Sequence, residues 1–208
     1  MFISKQHSKI KLLGLAMLAV GSTCYAQGPH SNVLENEEVK SQASDLNIKL
    51  EDEAKAKIAI FARTLKQTLV SAMKAGGPEN GIKVCKESAQ KIATTLSTDG
   101  WQMSRTSLKT RNPNNQASDW ETANLLQFDA QYKQGAAANT LTASLQTQDA
   151  FLYMKAIPTG PICLSCHGVS IDKKLQQTIM TAYPEDSASG FTLDDIRGAF
   201  SLVKSLNE

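Results

Sequence analysis

The spacing of apolar residues changes half-way along this chain, and that change limits the folds open to it. From Asp45 to Lys74, Ala54, Ile58, Phe61, Leu65, Leu69 and Ala72 recur every three or four residues, which predicts a helix with one buried face. Gly76-Gly77 ends that run. Pro78-Glu79-Asn80 then opens a second helix, in which Ile82, Cys85, Ala89, Ile92 and Leu96 repeat the spacing. After Asp99-Gly100 the pattern loosens to alternation: Trp101 to Lys109 reads as a strand, and Asn112-Pro113-Asn114-Asn115 as a turn. Ser118 with Glu121 marks the capping box of a third helix, carrying Trp120, Leu125 and Phe128 and ending near Gly135. Thr140–Gln146, Ala150–Ile157 and Ile196–Lys204 read as further strands, and Leu175–Met180 as a short helix. Helices first and antiparallel strands later predict an α+β domain with helices packed on one sheet.

The first 26 residues have the composition of an export signal. Lys5, Lys9 and Lys11 form a basic start, Leu12–Val20 a short apolar core, and Gly21–Ala26 a small-residue stretch for cleavage before Gln27. Lipidation at Cys24 is the alternative, disfavoured because Gly-Ser-Thr precedes it where an aliphatic residue belongs. The apolar core is too short to anchor in a bilayer. The expectation is therefore an exported, periplasmic protein without a membrane span once the signal is removed. The segment holds three of the 22 basic residues and none of the 20 acids, so what remains is close to neutral. Nothing in that balance calls for nucleic acid. Residues 27–44 read as a polar N-terminal lead and residues 45–208 as one domain.

Chemistry is concentrated in Cys163-Leu164-Ser165-Cys166-His167, a C-x-x-C-H. This is the attachment spacing for one c-type haem. The two thiols can each form a thioether on one porphyrin edge, and the adjacent imidazole becomes the proximal iron ligand. A zinc ribbon would need a second ligand pair, which the chain lacks. A thioredoxin-like site calls for a βαβ setting, and a disulfide closing so short a loop would stabilise little.

The sixth iron position has several candidates. His30 is the one other histidine of the mature chain and lies in the polar lead. Met73, Met103, Met154 and Met180 are each readable as core filler. Cys85 is an odd thiol on an apolar helix face, equally readable as a small buried hydrophobe.

Longer stretches carry a resemblance. They are Ile82-Lys83-Val84-Cys85, Arg105-Thr106-Ser107-Leu108-Lys109-Thr110-Arg111-Asn112-Pro113-Asn114-Asn115, Trp120-Glu121, Cys163–Gly168, Tyr183-Pro184-Glu185-Asp186 with Gly190, and Asp195-Ile196-Arg197-Gly198-Ala199. In these the chain resembles a family of bacterial haem proteins with a PAS-like domain, formerly a domain of unknown function. The resemblance spans about residues 45 to 205. It implies a central antiparallel sheet flanked by helices, His167 as proximal ligand and Cys85 as distal thiolate. One departure is Asp194-Asp195, where Gly-Asp is expected. Many relatives place this domain ahead of kinase or cyclase outputs, and none is expected here.

A thiolate ligand favours ferric iron, and six-coordination leaves no open site for a substrate. Arg105 and Arg111 are candidate partners of the haem propionates, as planar charged donors. The functional expectation is electron transfer with a redox partner protein. The alternative is a stand-alone sensor of redox state or of a small diatomic ligand, signalling to a separate output protein. An enzyme is the weakest reading, since no acid–base pair is placed by motif.

Overall fold

The computed structural model describes residues 30–207, so the export signal and Cys24 lie outside the described residues. The chain divides into two compact units, the second beginning at Ser41. Residues 30–40 are helical, and the side chains of 41–46 beyond them are exposed. No helix among the described residues is long and apolar enough to cross a membrane.

The first helix, α1 (His30–Lys83), begins well before the predicted start at Asp45. The predicted break at Gly76-Gly77 is present: Gly77 has φ +76°, a conformation that side chains disfavour, and Pro78 restarts the helix. The second arm continues through a π-helical turn, Val84–Ser88, into α2 (Ala89–Leu96).

Four strands follow: β1 (Trp101–Thr106), β2 (Thr142–Gln146), β3 (Ala150–Pro158) and β4 (Ile196–Ser205). They form one antiparallel sheet in the order β1-β4-β3-β2. Between them lie α3 (Asp119–Lys133), the short α4 (Leu164–His167) and α5 (Lys173–Ala182). This is the α+β architecture expected from the sequence. The Ser118–Glu121 capping box forms as predicted, with both reciprocal hydrogen bonds.

β1 stops three residues short of its predicted end. Ser107 turns out of the sheet, its hydroxyl donating to the carbonyls of Lys109 and Arg197 while its backbone bridges to Gln116. The sheet buries both faces. Phe151, Tyr153, Trp101, Met103 and Leu202 pack on Leu50, Ala54, Ile58 and Phe61 of α1. On the other face Met154, Ala156 and Ala199 pack on Leu125 and Phe128 of α3. That double burial is why β3 reads as an almost continuous apolar run. A third cluster, Ile82, Leu175, Ile179 and Tyr183 with half-buried Cys166, joins the second arm of α1 to α5 beneath the C-x-x-C-H turn.

Candidate functional site

β3 ends where Pro158-Thr159-Gly160-Pro161 removes ladder donors, and Thr159 is tied instead to Asp195 by its amide and hydroxyl. A 3₁₀ turn, Pro161–Cys163, leads into α4. Helical spacing turns the two thiols, three positions apart, to one side. Neither is in a disulfide, and both are half-buried. Gly168 closes the turn by donating to the Leu164 carbonyl, and a Cβ there would stand 2.5 Å from that oxygen. Only glycine fits.

His167 is held from three directions. Its carbonyl accepts from Phe191 N at 3.0 Å, its ring stands edge-on to the Phe191 ring, and Nδ1 lies 2.6 Å from the Ala188 carbonyl. A carbonyl only accepts, so Nδ1 carries the proton and Nε2 keeps its lone pair. Burial, then the charges of Arg197 and Arg111, push the imidazole pKa down to about 2. The ring is therefore neutral at ordinary pH, the form that ligates metal.

Arg111 braces the same turn. Its guanidinium meets Asp186 twice at 3.1 Å, and Nη2 also donates to the Cys166 carbonyl at 2.6 Å and the Ala188 carbonyl at 3.4 Å. Both side chains are about nine-tenths buried. Asp186 Oδ1 in turn accepts from Ala188 N at 3.0 Å, fixing the carbonyl that orients His167. Sequence reasoning assigns Asp186 no role, because its partner lies 75 positions away.

Cys85 sits inside the π-helical turn Val84–Ser88, whose N-cap Lys83 makes no side-chain cap. Such single turns arise where a helix carries an extra residue and recur at functional sites. The thiol is half-buried.

All six residues singled out from the sequence, Cys85, Arg105, Arg111, Cys163, Cys166 and His167, line one cavity of about 970 Å³, its mouth included. Leu65, Leu69 and Ile82 are among its apolar lining residues, and Tyr183 lines it too. Of the methionines, Met73 lines the cavity, whereas Met103 and Met154 are buried in the two sheet cores and Met180 is exposed. Neither of the strand methionines is therefore placed to ligate. His30 opens α1, and its side chain lies outside the described residues.

Arg197 also lines the cavity and was not among the residues predicted for it. Burial, then Arg197, weaken the hold of Arg105 on its proton. Arg197 Nε and Arg111 Nη1 are both buried without a hydrogen-bond partner. A cavity with paired thiols, a neutral imidazole, apolar walls and unpartnered guanidinium donors fits an anionic porphyrin: iron ligands at one place, carboxylate partners at another.

The Asp194-Asp195 departure has a clear outcome. Asp194 has φ +66°, the left-handed conformation that glycine would enter freely, and the turn forms with aspartate instead.

Comparison with known proteins bears on the family and the fold. The family model described as Tll0287-like matches residues 35–205. A solved structure described as the cyanobacterial haem protein Tll0287 superposes with a TM-score of 0.57 at 25% identity, covering 75% of this chain and 97% of that one. No curated protein matches the sequence.

Proposed function

The chain belongs to the Tll0287-like family, and from that premise we propose that it is an exported haem protein with one covalently attached c-type haem, acting in electron transfer. The observation that carries the proposal is the meeting of Cys163, Cys166, His167 and Cys85 around one cavity, although Cys85 lies 78 positions from Cys163. The described structure of a haem protein of similar fold supports it.

Bound haem would supply one-electron chemistry at its iron. The chain's own residues do the rest. Cys163 and Cys166 would hold the porphyrin by adding their S–H bonds across its vinyl groups. His167 Nε2 would ligate the iron, kept in the right tautomer by the Ala188 carbonyl. Cys85 would supply a second ligand to the iron. Leu65, Leu69 and Ile82 would exclude water from the porphyrin faces.

The test is the ferric spectrum. With both ligands in place, absorption and electron paramagnetic resonance give low-spin thiolate–imidazole iron, and Cys85→Ala converts it to another species. An unchanged spectrum in that variant removes Cys85 from the ligand set and points to Met73, the methionine on the cavity. Haem that stays with the denatured chain in wild type, and leaves it in the Cys163→Ala/Cys166→Ala double variant, checks the covalent link. A mature N-terminus at Gln27 and recovery from the periplasm check export.

One observation favours a second reading, a haem-based redox or gas sensor. Cys85 is presented by a π-turn, a single-turn irregularity of the kind that recurs at functional sites, rather than by a regular helix. Ready carbon monoxide binding by the ferrous protein supports sensing, and a ferrous form that stays six-coordinate supports electron transfer.

A further inference from the structure

The cavity carries more positive charge than its walls neutralise. Arg105, Arg111, Arg197 and Lys109 all line it. Arg111 is already committed to Asp186 and to two carbonyls. Lys109 has turned away, its ammonium 3.4 Å from the Ser189 carbonyl and 5.1 Å from the centre of the Phe191 ring.

Arg111 Nη1 is also buried without a partner, but the rest of that guanidinium is held by Asp186 and the two carbonyls, which leaves Arg105 and Arg197 as the two guanidiniums lining the cavity with no ion pair among the described residues. Arg105 extends from β1 and lies 5.6 Å over the Phe61 ring, and Arg197 extends from the adjacent strand β4. Among the described residues, the five ion pairs within 4.0 Å include neither of them. Arg197 Nε is buried with no acceptor. Two like charges lining one part-buried site, one of them with a buried nitrogen that has no acceptor, are unfavourable unless anions sit with them. Their planar donor forks match carboxylates.

We propose that Arg105 and Arg197 act as a pair to bind the two propionate carboxylates of the porphyrin, while Arg111 serves the protein turn that carries Cys166 and His167. The inference rests on the haem reading above. It changes the division of labour expected from the sequence, in which Arg105 and Arg111 shared the propionates.

The experiment uses the full mature chain made without haem attachment, titrated with two probes: ferric haem bearing free propionates, and its dimethyl ester. Each charge-assisted pair is worth about 1.5–3 kcal/mol, so wild type should prefer the free acid by at least ten-fold. Arg105→Gln/Arg197→Gln should bind both probes equally. Arg197→Lys, which keeps the charge and loses the fork, should retain part of the preference, an outcome that loss of packing alone would not give. Far-ultraviolet circular dichroism of each variant checks its fold. Equal binding of both probes by wild type, or a preference that survives in the double glutamine variant, overturns the clamp. Binding of neither probe overturns the haem reading itself, and the clamp with it.

Discussion

The two segments that carry the candidate iron ligands are built on opposite plans. The His167 segment is over-determined: one imidazole is oriented by a carbonyl, which is set by Asp186, which is locked on a buried arginine. The Cys85 segment is one π-turn presenting a half-buried thiol. The first arrangement leaves a side chain almost no freedom. The second shows no comparable side-chain brace among the described residues. A cofactor bound there would inherit that asymmetry.

The sharpest way to break the comparison is to cut the brace on the rigid side. Asp186→Ala leaves Arg111 charged and nine-tenths buried with no carboxylate, and removing one partner of such a pair costs about 3–5 kcal/mol. Cys85→Ala removes one sulfur from a partly exposed site and should cost about 1 kcal/mol or less. Urea unfolding of the haem-free chain measures both. Similar losses in the two variants would mean that the segments are equally constrained. A further consequence is spectral: in the haem-loaded protein Asp186→Ala should broaden the signal arising from His167, whereas Arg111→Lys should not restore it, because a lysine lacks the fork.

How much of this was legible in the chain follows from how local each feature is. The C-x-x-C-H turn is local, so its chemistry could be read directly. Cys85 was placed on an apolar helix face by its spacing from Ile82 and Ala89, both of which are buried. The π-turn around it was not legible, because one widened turn does not disturb the apolar period. The Arg111–Asp186 pair and the Arg105–Arg197 pair are assembled by tertiary structure. The first joins residues 75 apart, and the second depends on β4 lying beside β1. Alternation along each strand cannot reveal the order of strands. The strand methionines failed as ligand candidates for the same reason: which face a strand turns to a cavity depends on what packs there.

Tyr183 touches both segments, and that makes it a finer probe. It packs with Ile82 beside Cys166, and Lys86 of the π-turn stands 5.8 Å from its ring centre. Burial, then Cys85, raise its phenol to about 12. An unfolded chain loses that proton near pH 10, before the folded one does. The stabilisation is therefore complete below about pH 10 and is lost as pH rises from there towards 12. Tyr183→Phe keeps the packing and has no proton to lose. The gap in urea midpoint between wild type and this variant should accordingly move in the variant's favour between about pH 9 and pH 11. Parallel pH curves would show that the phenol is no more constrained than one in solvent.

The smallest effect is expected at Asp194, which supports the rigid side from a distance. Its amide donates to the Thr159 carbonyl at 2.9 Å, in the segment that ends β3 just before the C-x-x-C-H turn. At φ +66° an L-residue is strained, and glycine is not. Part of that gain is offset because glycine also frees the unfolded chain. Asp194→Gly should therefore stabilise by no more than about 1 kcal/mol, while Asp194→Val, β-branched in the same conformation, should lose more than that. Thermal unfolding distinguishes the two. Because the substitution tightens a segment that is already rigid, the ferric spectrum of the glycine variant should match wild type. A shift in the signal arising from Cys85 would instead mean that strain at this turn reaches the Cys85 side, and the two segments would then have to be treated as one coupled unit.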